Sequence, residues 1–217
     1  MQSLYSNFKN LSLTRTLFKS RLSDKKVHEK KDSNTIYVTD LLYCPLKPRL
    51  REQFKELTLA EAYNPSTLQG SLIHESIEGI LTRELNAKTE VPITKELTIG
   101  NEVYKLIGRA DAILGDTVIE IKTSKNDTKI PVHEHETQLK IYMTLLGSTH
   151  GVLLYITPDR IAEFHYDEKL TDTELENLVK SFLRAEKVPR HNWECKYCAF
   201  SKVCPHKVGV NEDNNAS

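Results

Sequence analysis

Apolar and polar residues along this chain follow two periods. From Ser66, the stretch STLQGSLIHESIEGILTREL sets Leu68, Leu72, Ile73, Ile77, Ile80, Leu81 and Leu85 at helical spacing behind Pro65, and predicts one long helix. From Pro92 the pattern changes. VPITKELTIG, EVYKLIGRADAIL and TVIEIKTS read as strands, punctuated by Gly100-Asn101 and Gly115-Asp116. HEHETQLKIYMTLLG returns to helical spacing and stops at Gly147. GVLLYITPDRIAEFHY supplies two more strands around Pro158-Asp159, and Thr173–Lys187 forms a last helix. Upstream, TIYVTDLLY opens on β-branched residues, Asp40 is placed to cap a short helix, and Pro45 and Pro48 set a turn around Cys44. Leu11–Lys19 reads as a short helix and SDKKVHEKKDSN as a mobile loop. Helix, hairpin, strand, helix, strand describes an α/β architecture, a mixed sheet with helices against it.

A chain of 217 residues with 39% apolar residues supports one core and a small appendage. The expected division is 1–35 as a basic N-terminal extension, 36–190 as the main domain, and 191–217 as a cysteine module with a polar tail. No run approaches the ~18 apolar residues of a membrane span. MQSLYSNFKN lacks a charged stretch followed by an apolar one, so the reading is intracellular and cytoplasmic. Net charge is zero, yet residues 1–56 hold 12 Lys/Arg against 6 Asp/Glu. A local basic patch can steer a polyanion even on a neutral chain.

Candidate chemistry lies in the central hairpin. With Gly115-Asp116 as a two-residue turn, Leu114 faces Thr117, Ile113 faces Val118 and Ala112 faces Ile119. The same register sets Asp111 opposite Glu120 and Arg109 opposite Lys122, all four on one face, with Ala110, Ala112, Ile119 and Ile121 on the other. Two carboxylates that close repel unless a proton or cation lies between them, and a divalent oxygen-seeking metal is the natural guest. Lys122 beside such a metal can orient a water and screen developing negative charge. The set describes metal-assisted attack on a phosphodiester; the plain alternative is a solvated hairpin face with ordinary ion pairs. His74 lies among apolar residues of the long helix, either as a satisfied core histidine or as a further metal ligand. Gln138 and Tyr142 share a helix face at i and i+4, where they can meet a nucleic-acid backbone or simply line a half-buried surface.

Taken together, GSLIH at 70–74, GRAD at 108–111, EIK at 120–122 and QLKIY at 138–142 resemble the RecB-like branch of the PD-(D/E)XK nucleases. One cysteine upstream and C-x2-C-x5-C downstream bring the likeness nearer to the CRISPR-associated RecB-like exonuclease family, from about Thr39 to His206. The resemblance implies a restriction-endonuclease-like core. It implies His74, Asp111 and Glu120 as metal ligands, helped by the backbone carbonyl of Ile121, with Lys122 as the catalytic lysine and Gln138 and Tyr142 as DNA-contacting residues. It implies Mg2+ or Mn2+, single-stranded DNA cut from the five-prime end and sometimes internally, and trimming of precursor spacers beside the CRISPR integrase. Self-association into a homo-oligomer is compatible with it.

Four cysteines, Cys44, Cys195, Cys198 and Cys204, can form one tetrathiolate centre holding zinc or an iron–sulfur cluster. In a reducing compartment, metal ligation is expected before disulfides. Structural zinc more often uses paired Cys-x-x-Cys knuckles. A lone distant cysteine joined to a three-cysteine tail that ends before Pro205 suits a 4Fe-4S cluster, as in the resembled family, and would staple the two ends of the domain. His191 and His206 are substitute ligands that four cysteines make unnecessary. Two other functions fit the same residues: a non-catalytic DNA-binding assembly subunit, and an iron–sulfur repair nuclease outside CRISPR.

Overall fold

A computed structural model describes residues 12–26, 32–61 and 64–209. Residues 1–11, 27–31, 62–63 and 210–217 lie outside the described residues, and residues 23–26, read from the sequence as the start of a mobile loop, instead continue the first helix. Helix α1 (Leu13–Lys26) is followed by β1 (Thr35–Tyr37), α2 (Val38–Leu42), α3 (Lys47–Gln53) and α4 (Lys55–Glu61). The long helix α5 (Pro65–Leu85) leads into β2 (Lys88–Ile99), β3 (Glu102–Leu114) and β4 (Thr117–Thr123). Then come α6 (His133–Leu146), β5 (His150–Ile156), β6 (Ile161–Tyr166), α7 (Asp172–Leu183) and the short α8 (Glu194–Tyr197).

Local chemistry sets most boundaries. Pro65 opens α5 behind Asn64, whose side chain accepts from the Ser66 N–H, and Asn86 closes it in the left-handed region. Gly147 closes α6 at φ 75°. Helix α7 ends four residues earlier than its pattern predicts. Ala185 turns left-handed at φ 50°, and its N–H goes to the Phe182 carbonyl. Strand β2 begins four residues before Pro92. It pairs only with β3, so its outer edge tolerates a residue without an N–H. Asp40 caps α2 from within its first turn, where its carboxylate accepts the Tyr37 N–H.

The sheet is mixed and has six strands. Its main path runs β1-β3-β4-β5-β6, and β2 lies along the other edge of β3. Strand β3 pairs parallel with β1 through Lys105–Ile107 and antiparallel with β4 through Ala112–Leu114. Both partners lie on one edge of β3, so Gly108, Arg109, Ala110 and Asp111 fall between them without a ladder partner there. The hairpin register is the expected one for its first three pairs and then stops. Asp111 has no partner across from Glu120, nor Arg109 from Lys122; Arg109 pairs with Pro92 instead.

Helices cover both faces. On one, Leu139, Ile141 and Met143 of α6, Leu175 and Val179 of α7, and Val38 and Leu41 of α2 close over Leu106, Val118, Leu153 and Tyr155. On the other, Ile77 and Leu81 of α5 rest on Ala112, Ile119 and Ile121. This second layer is small, which explains why Leu72, Ile80 and Leu85 of the apolar α5 pattern stay exposed.

Gly108 shows how tightly the gap in β3 is filled. A β-carbon there would lie 2.5 Å from the Tyr142 ring and 3.0 Å from the Val38 side chain. Both neighbours are buried. Gly108→Ala should therefore destabilise the fold by about 1–3 kcal/mol and displace Tyr142. Thermal melts with near-ultraviolet dichroism of the tyrosines check this; an unchanged midpoint would show the ring moves freely.

Candidate active site

Where β4 parts from β3, the side chains of both strands turn into one pocket. Asp111 replaces the lost ladder bond with its own carboxylate, which accepts the Ile121 N–H at 2.7 Å. The His74 Nδ1 atom of α5 lies 3.5 Å from the same carboxylate oxygen. Glu120 is only 2% exposed. One of its oxygens takes the Lys122 ammonium at 2.6 Å, and the other, Oε2, is buried without a hydrogen-bond partner. Glu120 is thus an interior group and Lys122 a half-buried one, not a solvated hairpin face.

Lys122 is held from its far side by Gln138 Oε1 at 2.9 Å. Gln138 in turn donates to the Tyr142 hydroxyl at 3.3 Å. Gln138 and Tyr142 are 7% and 3% exposed, so the i, i+4 pair lies beneath the lysine rather than on an open helix face. Behind them, His135 Nδ1 and the Val132 N–H both reach the Tyr155 hydroxyl. Burial, reinforced by Lys122, drives the His135 imidazole down to about 3, so it is neutral. Arg109 leaves this group. Its guanidinium pairs with Glu90, a residue at φ 54° on the neighbouring strand.

Burial raises the Glu120 carboxyl to about 7, against the pull of Lys122 and with help from Asp111. Lys122 is raised because Glu120 outweighs its own burial. Glu78, one helical turn beyond His74, escaped the sequence reading. Its carboxyl is raised to about 7 by burial and by Glu90 and Asp111. One donor atom each from His74, Glu78 and Asp111 lies within 4.8 Å of the others. The i, i+4 offset from His74 is the only signal that could have found it. A carboxylate-rich donor set with one imidazole, beside a buried carboxylate oxygen lacking a partner, fits Mg2+ or Mn2+.

The four cysteines, all half-buried, line a single cavity with Leu50, Val188 and Pro189. Burial pushes the Cys44 and Cys198 thiols up, while the backbones of Leu46 and Phe200 hydrogen-bond their sulfurs. Among the described residues, no three cysteine sulfurs gather within 4.8 Å of one another. Cys44 does not depend on a metal alone for its attachment to the C-terminal module. Glu194, 2% exposed, accepts the Cys44 N–H at 2.9 Å and the His191 N–H at 3.0 Å, and pairs with Lys47 at 3.1 Å. His191 Nε2 lies 3.1 Å from Glu134 at the start of α6, and His206 lines the cysteine cavity.

Comparison with known proteins bears on the family and the fold. Residues 46–205 match the family model of the PD-(D/E)XK nuclease superfamily. The chain is 43% identical over 201 residues to the CRISPR-associated exonuclease Cas4 of Saccharolobus solfataricus, covering 90% of this chain and 99% of that one. The crystal structure of SSO0001 superposes with a TM-score of 0.87 at 42% identity, covering 92% of this chain and 99% of that one. An alkaline exonuclease from Laribacter hongkongensis aligns over 87% of this chain and 98% of its own, at 18% identity and a TM-score of 0.47.

The raised Glu120 carboxyl makes metal-free stability depend on pH. Its folded value is about 7 against an ordinary 4.5. The folded state therefore keeps a proton that the unfolded chain gives up. That stabilisation is complete below the unfolded value and is lost as pH rises through about 7. With metal chelated, the melting temperature should fall from about pH 5 to about pH 8, and Glu120→Gln should flatten the fall. An identical slope in wild type and variant would refute a titrating Glu120.

Proposed function

The chain belongs to the PD-(D/E)XK nuclease superfamily, within the family of the CRISPR-associated exonuclease Cas4, and on that premise we propose that it is a metal-dependent DNA exonuclease. The observation that carries this reading is the buried Glu120, with one oxygen on Lys122 and the other without a partner beside Asp111 and His74. Such a carboxylate is unstable alone and stable beside a cation. His74, Asp111 and Glu120, with the Ile121 carbonyl, would hold Mg2+ or Mn2+. Bound there, the ion supplies Lewis acidity at the scissile phosphate and lowers the pKa of a water. Asp111 keeps its carboxylate fixed through the Ile121 N–H. Lys122, clamped between Glu120 and Gln138, presents an ammonium to the attacking water and to the charge developing on the phosphate. Gln138 and Tyr142 serve the DNA through that lysine, by fixing where it points.

The proposed substrate is single-stranded DNA or a single-stranded overhang, degraded from five-prime to three-prime with some internal cutting. The proposed setting is cytoplasmic spacer acquisition in CRISPR, with the integrase complex as partner and with homo-oligomers formed by further copies of the chain. The proposed division keeps 36–190 as the nuclease domain and 191–217 as the cysteine module, with the basic N-terminal segment as an extension. Cys44, Cys195, Cys198 and Cys204 are proposed to hold a 4Fe-4S cluster. Zn–S bonds of ~2.3 Å put tetrahedral sulfurs only ~3.8 Å apart, closer than these sulfurs gather. The backbone hydrogen bonds to Cys44 and Cys198 also suit thiolates on a cluster. A DNA-binding assembly subunit without catalysis is the reading to defeat. It gives Lys122 no reason to be clamped on both sides.

Single strands labelled at either end, incubated with Mn2+ or Mg2+, test the activity and its direction. Glu120→Gln should leave no detectable product. Lys122→Ala should lower turnover by about 100-fold while DNA affinity changes little, because one lysine is a small part of a phosphate footprint. Full activity in Glu120→Gln would defeat the assignment. Label released first from the three-prime end would reverse the polarity. Iron and sulfide analysis of anaerobically purified protein tests the cluster: both should be present and lost in Cys204→Ser, whereas stoichiometric zinc would replace the cluster reading.

A further inference from the structure

We infer that Glu78 is a fourth side-chain ligand of the divalent-cation centre, beside His74, Asp111 and Glu120. The inference deepens the nuclease reading and rests on it. Glu78 follows His74 by one turn of α5, so both project toward the same strand end. It is nearly buried, and among the described residues its carboxylate makes no hydrogen bond and no ion pair. The nearby cation that could neutralise it is occupied, because the Arg109 guanidinium is paired with Glu90. Asp111 and Glu90, of its own sign, act on it more strongly than His74 and Arg109 do.

Distances favour ligation over repulsion. Donor atoms of His74, Glu78 and Asp111 lie mutually within 4.8 Å. Octahedral Mg2+ binds oxygen at ~2.0–2.1 Å, which spaces its ligands by ~2.9 Å across an edge and ~4.2 Å across the centre. The three donors therefore fit around one ion after small side-chain adjustments. A second and independent sign of a cation is the Glu120 Oε2 atom on the neighbouring strand, buried and without a hydrogen-bond partner. Asp111 and His74 act electrostatically on Glu120, although its oxygens lie outside the 4.8 Å group formed by His74, Glu78 and Asp111. Three carboxylates and one imidazole make a hard, oxygen-rich set suited to Mg2+ and Mn2+ rather than to a thiophilic metal.

The backbone supports the same assignment. Asp111 and Glu90 are the one facing pair missing along the β2–β3 ladder, and Glu90 holds a positive φ of 54°. A non-glycine residue in that region is strained by about 1–3 kcal/mol. The distortion carries the Glu90 carboxylate onto Arg109, and so keeps that guanidinium on Glu90. Glu78 is then left with the His74 imidazole and with cations from solution.

The test measures Mn2+ binding directly, by calorimetry and by the electron paramagnetic resonance signal of free Mn2+, on full-length wild type, Glu78→Gln, Glu78→Asp and Asp111→Asn. Wild type should bind and Asp111→Asn should not; this pair examines the nuclease reading. Glu78→Gln should bind about 10-fold or more weakly, with Glu78→Asp in between. Melting curves separate ligation from a structural role. Without metal, Glu78→Gln removes a like charge and should melt no lower than wild type. With Mn2+ it should gain less than wild type does. Wild-type affinity and the full Mn2+-dependent gain in Glu78→Gln, with Asp111→Asn silent, would overturn the inference and leave the nuclease reading standing. Absence of Mn2+ binding in wild type would overturn both.

Discussion

The site depends on one interruption in hydrogen bonding. Strand β3 has two partners on the same edge, β1 through Lys105–Ile107 and β4 through Ala112–Leu114. Between them the sheet opens, and an open sheet inside a protein leaves backbone donors that must be satisfied. Asp111 satisfies one with its side chain, taking the Ile121 N–H that a backbone carbonyl would otherwise accept. That bond fixes the carboxylate and lets β4 diverge from β3 by the width of a side chain. Glu120 and Lys122 then occupy space that a continued ladder would have closed. A carboxamide at position 111 would retain an acceptor for Ile121 but lose the charge, which separates the structural work of this residue from its electrostatic work.

The second constraint is the burial of opposite charges. A carboxylate and an ammonium taken out of water lose several kcal/mol of hydration each, and mutual attraction repays this only with good geometry and full partnering. Lys122 meets the condition with Glu120 on one side and Gln138 on the other. Glu120 does not, because Oε2 is left over. The imbalance is local and has a sign. It favours a proton or a cation at that oxygen, and Asp111 nearby adds to the same field. Unsatisfied negative charge of this kind is hard to explain as a stability feature. It is easily explained as a site whose energy is minimal only when an ion is bound.

Much of this was legible in the sequence because it was local. The α5 and α6 helices, the hairpin turn with its first three pairs, and the strands flanking Pro158 follow from period and turn chemistry. The grouping of His74, Asp111, Glu120 and Lys122 was legible through motif spacing. The point where β4 leaves β3 was not, since β1 competes for the same edge from seventy residues away and no local signal reports it. That one non-local fact explains why Arg109 belongs to Glu90 instead of the pocket, and why Glu120 is interior. Glu78 was missed for a related reason. At helical spacing it reads as a solvated residue, and only the packing of α5 on Ala112, Ile119 and Ile121 turns it inward. Gln138 and Tyr142 were recognised as a pair, but their burial depends on Lys122 reaching into α6.

The cysteine module and the nuclease pocket are joined by charge as well as by chain. Glu194 holds the Cys44 and His191 backbones together and takes the Lys47 ammonium. His191 lies against Glu134, on the same helix that carries Gln138. Tyr43, beside Cys44, feels Lys122, Glu134, Glu194 and Glu120 together, so it stands between the two regions. Its ring packs edge-on against Trp193, and Trp193 stacks on His191. Because Glu194 already holds two partners across the join, Cys44 and Lys47, the module can stay attached when its sulfurs change state.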